Sequence, residues 1–228
     1  MSGLRSNSLR ITLLTAATLL ATTAAPAMAN PSDPVRPLTC RGEGVDPDAR
    51  VRHRTETVVH APLKTVWRLQ TDVEHWPAWQ SPVESAERLD RGSLRQGSAF
   101  RWTTPIPPNP ATDATSLDIT STVRQLRHDS CIRWTGPAIG DGLRIDGIHV
   151  WTFTRVRGGV LVRTEETHTG DQVEADAPAA TGILAAGLEA WLRDLRTTAE
   201  THSHLPIGIR QPHNGFRLTG GRTWFEQG

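Results

Sequence analysis

A glutamate and two histidines recur in the β-rich part of the chain at spacings that bring them together. Glu166 and His168 are two residues apart, so in a strand both side chains point to one face. His149 lies in the preceding predicted strand. A buried carboxylate is costly unless it is paired or protonated, and an imidazole from a neighbouring strand is a natural partner. Such a pair could do general acid–base chemistry, for example removing a proton next to a ketone.

The same three residues also have plainer interpretations. They could form a structural hydrogen bond, or the alternation could be shifted by one, with Glu165 inward and Glu166 in water. Two histidines and a carboxylate are the ligand types of some metal sites, but this spacing matches no recognised signature, so we predict no metal site. The chain has no G-x-G-x-x-G after a strand, no Walker motif and no G-x-S-x-G elbow, and we predict no cofactor.

Large apolar side chains share strand faces with a few polar ones. Apolar walls with a few placed polar groups are typical of a small-molecule pocket. Packing in the core under a helix is the plainer alternative for most of these side chains. We place Trp76 and Trp79 at the pocket mouth, on a short helix. The predicted ligand-binding residues are Trp76, Trp79, Phe100, Trp102, Ile119, Trp134, Trp151, Phe153, Leu188 and Trp191.

These residues need a sheet and a helix to position them, and the sequence predicts both. A strand over residues 52–60 precedes two short helices, one opened by Pro62 and one over residues 73–79 that Thr71 or Asp72 can cap. A helix over residues 178–201 carries an apolar stripe that must be buried. Between these helices we predict strands near residues 83–89, 96–104, 115–125, 129–136, 144–156 and 159–169, with a break over 136–142.

The two ends of the chain differ from this central part. Residues 1–29 combine a basic start, an apolar run and an Ala-Met-Ala site, which predicts a secretory signal peptide cleaved after Ala29; a membrane anchor is the alternative. We expect a secreted protein without stable membrane insertion after cleavage. The rest divides into an extended N-terminal arm over residues 30–51, one domain over 52–202 and a C-terminal tail over 203–228.

Composition narrows the class of protein. Of 228 residues, 25 are basic and 24 acidic, and this balance argues against a nucleic-acid partner, which would require a basic stripe. Loss of residues 1–29 removes two arginines and no acid, which changes the formal charge from +1 to −1. The chain has eight Trp and no Tyr, so it has bulky apolar anchors but no phenol for acid–base work.

The chain has two cysteines, Cys40 and Cys131. In an oxidising compartment an even pair suggests a disulfide, which would tie the arm to the domain. The alternative is two separate thiols, with Cys131 as a small buried hydrophobic residue in a strand. From the sequence both remain open.

Several loose motifs, in a consistent order, resemble one superfamily. They are VVHAPLKTVW over residues 58–67, TD and WPAW within 71–79, GSAFRW over 97–102, RWTG over 133–136, GIHVWTF over 147–153 and EETHTG over 165–170. Together they resemble the START-like (SRPBCC, Bet v 1-like) superfamily, in its polyketide cyclase/dehydrase branch, over about residues 52–201.

This resemblance implies an α+β helix-grip fold. A curved antiparallel sheet of about seven strands would wrap around the long C-terminal helix, with two short helices after the first strand and a mostly apolar cavity between sheet and helix. It does not imply one activity, because function resides in sites grafted on a fold.

Two functions from different classes fit these residues. The first is a secreted protein that binds a hydrophobic or aromatic small molecule, lipid or polyketide-like, in that cavity. The alternative is a cyclase or dehydratase in which Glu166 and a histidine are the acid–base pair, and it requires a freely diffusing substrate. A third interpretation is an interaction domain whose cavity is filled by its own side chains.

Overall fold

The structure is a computed structural model that describes residues 36–106, 108 and 114–204. The strands are β1 (Val51–Val59), β2 (Ser85–Arg88), β3 (Ala99–Ile106), β4 (Thr115–Arg127), β5 (Cys131–Gly140), β6 (Leu143–Val156) and β7 (Gly159–Thr169). The helices are α1 (Leu63–Thr71), a 3-10 helix (Val73–Ala78), α2 (Asp171–Ala175) and α3 (Ala177–His204).

One antiparallel sheet contains all of these strands, in the order β1-β7-β6-β5-β4-β3-β2. From β2 to β7 each strand pairs with the next along the chain, and β1 pairs with β7. Gly158 turns the chain between β6 and β7 with a φ of 83°, a region that glycine enters without steric cost. The predicted helix-grip fold is confirmed, with one strand and two short helices before six consecutive strands.

α3 is the long helix against which the sheet packs. Its apolar stripe is 0–6% exposed and consists of Leu184, Leu188, Trp191, Leu192, Leu195 and Ala199. Burial of each large side chain stabilises the fold by about 1.5–3 kcal/mol. The carboxylate of Asp176 accepts a hydrogen bond from the backbone N–H of Ala179 at 3.1 Å and caps the first turn. The helix begins one residue before the predicted start and ends three residues beyond the predicted end.

Strand β5 continues where the sequence predicts a break. We expected a turn over residues 136–142, but β5 extends to Gly140 and only Asp141 and Gly142 form the turn. A Cβ at Gly136 would lie 2.0 Å from the backbone oxygen of Thr120. This glycine therefore allows β4 and β5 to approach closely and does not mark a turn.

The predicted second short helix is a 3-10 helix, and its predicted cap does not form. Asp72 occupies the N-cap position, but its side chain makes no hydrogen bond to the helix backbone. The Asp72 carboxylate instead accepts a hydrogen bond from His75 Nδ1 at 2.9 Å. The pattern also did not predict α2, a five-residue helix directly before α3.

The N-terminal arm, from residue 36 to β1, lies on the outer face of the sheet. A disulfide joins Cys40 to Cys131 of β5, across 91 residues of sequence. Leu38 and Val45 form a small apolar cluster with Val150 of β6. The predicted signal peptide and all but the first two residues of the predicted tail lie outside the described residues.

Candidate functional site

Strand pairing brings His149 and Glu166 together on the inner face of the sheet. Trp134 of β5 is the register partner of His149, and His149 is the register partner of Glu166 of β7. The Trp134 and His149 rings stack with their centroids 5.2 Å apart. Because Trp134 belongs to the core beneath α3, this row of side chains faces the helix.

Glu166 bridges two histidines. Its Oε2 lies 2.7 Å from His149 Nδ1, and its Oε1 lies 2.7 Å from His168 Nε2. Glu166 and His149 are buried, at 5% and 8% exposure. His168 is partly buried. One carboxylate therefore holds both imidazoles, and His149 Nε2 and His168 Nδ1 are the ring nitrogens that do not face it.

The electrostatics of this cluster keep Glu166 ionised. Burial by itself would raise the pKa of Glu166, but the charge and hydrogen bond of His149, with those of His168, outweigh burial and lower this pKa to about 2. A carboxylate with so low a pKa is a weak base. Any acid–base chemistry here therefore belongs to an imidazole, and Glu166 orients that imidazole.

Gly147 leaves space beside the free nitrogen of His149. A Cβ at residue 147 would lie 3.2 Å from His149 Nε2 and 3.7 Å from His168 Cδ2. Because glycine has no side chain, this side of both imidazoles stays unobstructed.

The two adjacent glutamates are both buried, on opposite faces of β7. Glu165 is 1% exposed. Its Oε2 accepts a hydrogen bond from the backbone N–H of Leu38 at 2.6 Å, and its Oε1 accepts one from Arg52 Nε at 2.7 Å. The alternative with Glu165 inward and Glu166 in water is wrong, because the arm covers the outer face of the strand while the core covers the inner one.

Aromatic side chains pack against one another between the sheet and α3. Trp76 is fully buried, and at centroid distances of 4.9–6.1 Å it contacts Phe100, Trp102, Trp134 and Trp191. Trp151 contacts Trp134 at 6.3 Å and Trp191 at 5.8 Å. Most of the contacts made by Trp76 are edge-to-face, the geometry that aromatic quadrupoles favour.

Nine of the ten predicted ligand-binding residues, all except Trp79, belong to one buried core cluster. We predicted Trp76 at a pocket mouth, but the 3-10 helix directs its side chain into the core, towards β3 and β5. Trp79 is only partly buried, edge-on to Trp191 at 6.4 Å. Phe153 lies edge-on to Trp67 at 5.3 Å, a tryptophan outside the predicted set.

His53 Nε2, on a partly buried residue of the inner face, has no hydrogen-bond partner among the described residues. Three further polar atoms of this face, on fully buried residues, also have none. They are Trp134 Nε1, Trp151 Nε1 and Thr164 Oγ1, on residues that are 0–1% exposed. Trp151 and Thr164 are register partners on β6 and β7. Native structures pair most such atoms, so an unpaired group needs an explanation such as a bound polar atom.

Two other buried polar side chains, which no sequence motif indicated, accept hydrogen bonds from the aromatic cluster. Ser121 Oγ accepts a hydrogen bond from Trp102 Nε1 at 3.1 Å. Gln70 Oε1 accepts one from Trp191 Nε1 at 3.1 Å. Gln70 follows Val66 by four residues and Trp67 by three, so helical spacing could have identified it as part of the buried face of α1.

The described residues contain no group of three His, Cys, Asp or Glu side chains arranged to hold a metal ion. No helix in this part of the chain has both the length and the apolar character needed to cross a membrane.

Solved structures share this fold. A START superfamily protein from Mycobacterium smegmatis is 13% identical, with a TM-score of 0.53 over 66% of this chain and 98% of that one. The protein jhp0584 from Helicobacter pylori is 18% identical, with a TM-score of 0.54 over 67% and 90%. The di-domain ARO/CYC StfQ from the steffimycin biosynthetic pathway is 17% identical, with a TM-score of 0.52 over 67% of this chain and 51% of that one.

These likenesses show the fold alone, because each identity is low. No curated protein matches the chain in sequence. The family model for polyketide cyclase / dehydrase and lipid transport matches residues 50–200, which is most of the chain and spans β1 to α3. The chain therefore belongs to the polyketide cyclase/dehydrase and lipid transport family.

Proposed function

We propose that this protein binds a hydrophobic or aromatic small molecule, lipid or polyketide-like, between the sheet and α3. The observation that carries the proposal is the set of three unpaired polar atoms, on Trp134, Trp151 and Thr164, inside an apolar wall. An unpaired buried polar group costs about 1–3 kcal/mol, and a ligand oxygen that bonds to it removes that cost. Apolar walls supply the affinity, and the polar atoms orient the ligand.

Binding requires the aromatic rings to part. Trp76 and Trp191 have centroids 4.9 Å apart, which is direct contact, so a ligand between them must displace an indole. Conformational change of this kind is coupled to ligand affinity, because the energy lost in ring contacts is subtracted from the binding energy. The movement also provides a signal, since tryptophan fluorescence reports a changed environment.

The experiment is native mass spectrometry of the purified protein incubated with a panel of fatty acids and aromatic polyketides, with tryptophan fluorescence in parallel. We expect a retained ligand and a fluorescence change. Thr164→Val removes the unpaired hydroxyl at nearly constant shape, so it should weaken binding of an oxygen-bearing ligand and raise the stability of the free protein. Thr154→Val, an exposed position on β6, is the matched control. No retained ligand together with unchanged fluorescence contradicts the proposal.

We also propose that the mature protein is secreted. The pattern of residues 1–29 supports this proposal. The disulfide between Cys40 and Cys131 supports it independently, because disulfides persist in oxidising compartments. N-terminal sequencing of protein from the culture medium should begin at Asn30, and a cell-retained protein that keeps residues 1–29 contradicts it.

A second candidate function is a cyclase or dehydratase, favoured by the imidazole of His149 held against Glu166 at 2.7 Å. His149 Nε2 would take a proton from the carbon next to a ketone, and the resulting enolate would attack a second carbonyl of the same substrate. The new alkoxide would take that proton back from His149, and water would then be lost as the hydroxyl group with a proton from the adjacent carbon. General acid–base catalysis contributes about 10²–10⁴-fold in rate.

Turnover of a freely diffusing polyketone tests this second function. His149→Ala should reduce the rate by about 100-fold or more, and Glu166→Gln should reduce it while shifting the pH–rate profile. Unchanged turnover in both variants eliminates the assignment. Ligand retention without turnover in the wild type leaves the binding function as the conclusion.

A further inference from the structure

A cavity of about 440 Å³ lies outside the space between the sheet and α3. It is enclosed by α1, the 3-10 helix and the C-terminal part of α3. Its lining residues are Arg68, Leu69, Asp72, His75, Ala78, Trp79, Thr198 and His202. The volume is in the range of small-molecule sites. None of the residues of the Glu166 cluster contributes to it.

Two large apolar side chains, Leu69 and Trp79, contribute to the lining of this outer cavity. Leu69 is buried, and Trp79 is partly buried with its ring edge-on to Trp191. Trp79 Nε1 is shielded from water and has no hydrogen-bond partner among the described residues. An indole plane beside a leucine is a surface on which a planar apolar group can pack.

The rim of the outer cavity carries basic groups around one paired acid. Asp72 is the one acidic side chain in the lining, and its carboxylate accepts a hydrogen bond from His75 Nδ1 at 2.9 Å. The same hydrogen bond raises the pKa of His75, which favours its cationic form. The Arg68 guanidinium makes no ion pair or hydrogen bond within the described part of the chain, and Thr198 and His202 add hydrogen-bonding groups from α3. An arginine in this state is suited to a carboxylate, which it binds in a bidentate fork.

We propose that this outer cavity binds a small organic carboxylate with a flat apolar body. The apolar body packs on Trp79 and Leu69, and the carboxylate binds to the Arg68 guanidinium. Charge complementarity selects an anion over a neutral molecule of the same shape, because the acid in the rim is already paired while the arginine is free. This site is separate from the proposed ligand site between the sheet and α3, and neither depends on the other.

Isothermal titration of the full-length protein with 2-naphthoate and with its uncharged isostere 2-naphthamide tests the proposal. We expect 2-naphthoate to bind at least tenfold more tightly than the amide at pH 7.5. Arg68→Gln should abolish this difference. Arg157→Gln, an exposed arginine in the turn between β6 and β7, is the matched control and should preserve it.

Three outcomes overturn the proposal. Equal binding of acid and amide shows that charge does not select the ligand. Naphthoate binding that persists unchanged in Arg68→Gln shows that the anion binds elsewhere. Binding should quench the fluorescence of Trp79. If Trp79→Phe loses this quenching but keeps its affinity for 2-naphthoate, the ligand binds in this cavity, and that result does not depend on the folding of Arg68→Gln. No detectable binding of 2-naphthoate to the wild type excludes a carboxylate site.

Discussion

At the scale of single residues, the chemistry of this protein depends on what surrounds Glu166. The carboxylate is buried, yet two imidazoles within 2.7 Å stabilise its charge more than burial destabilises it. Spacing alone indicated that Glu166 and His168 share a face. Spacing did not indicate that the pKa of Glu166 is low. Because of that low pKa, Glu166 orients an imidazole, and any proton transfer belongs to the imidazole.

Acid should unfold the protein partly through Glu166. Its pKa is about 2 in the folded state against an ordinary 4.5, so between those values the unfolded chain binds a proton that the folded chain does not. Stability from this group is therefore fully present above pH 4.5 and is lost as the pH falls towards 2, by about 3 kcal/mol. Urea unfolding at pH 5, 4, 3 and 2.5 measures this loss in the free energy of unfolding.

Glu166→Gln provides the comparison for this pH series. The stability difference between wild type and Glu166→Gln should shrink as the pH falls, whereas Glu87→Gln, exposed on β2, should keep the wild-type slope. A constant difference between wild type and Glu166→Gln across the series would show that the charge of Glu166 is not stabilised in the folded state.

At the scale of elements, helical and strand periodicity predicted most of the architecture, and the errors have local causes. The predicted strand β5 was too short because its glycines are typical of a turn. Gly136 is a glycine for another reason, which is that β4 approaches its backbone closely. The short helix predicted after α1 forms as a 3-10 helix, without the predicted side-chain cap. At Gly136 a neighbouring strand, absent from any local window of sequence, decides the backbone conformation.

Substitutions on the buried face of α3 should lower the free energy of unfolding much more than substitutions on its exposed face. Leu195 is fully buried, so Leu195→Ala should lower the free energy of unfolding by about 2–5 kcal/mol through lost burial and a new cavity. Ile183 is 46% exposed, and Ile183→Ala should change it by only about 0.5 kcal/mol. Chemical denaturation of both variants measures this, and equal costs would contradict the placement of the stripe.

At the scale of the whole molecule, the N-terminal arm is attached to the outer face of the sheet by several independent contacts. The disulfide anchors it to β5, the Leu38 backbone bonds to Glu165, and the Arg133 guanidinium donates to the Gly44 carbonyl at 2.8 Å. The arm therefore covers Glu165 on the outer face of the sheet, while the core covers Glu166 on the inner face. The sequence indicated an extended arm but did not indicate which surface receives it.

Loss of the disulfide should be costly because it closes a long loop. For a separation of 91 residues the chain-entropy model gives about 4.6 kcal/mol. The double variant Cys40→Ser, Cys131→Ser should therefore unfold at a clearly lower denaturant concentration than the oxidised wild type, and reduced wild type should match the variant. Equal midpoints for the variant and the oxidised wild type would refute a stabilising role.

The sequence by itself determined the order of the strands and of every helix except α2, the inward and outward faces of most strands, and the family, because periodicity and motifs can be read along the chain. Only the tertiary structure decided that Glu165 and Glu166 are both buried, that Trp76 lies at the centre of an aromatic cluster, and that Arg68 stands beside an outer cavity. Periodicity reports the face on which a side chain lies. What covers that face is set by contacts between residues far apart in sequence, such as Leu38 with Glu165, and no local pattern encodes those contacts.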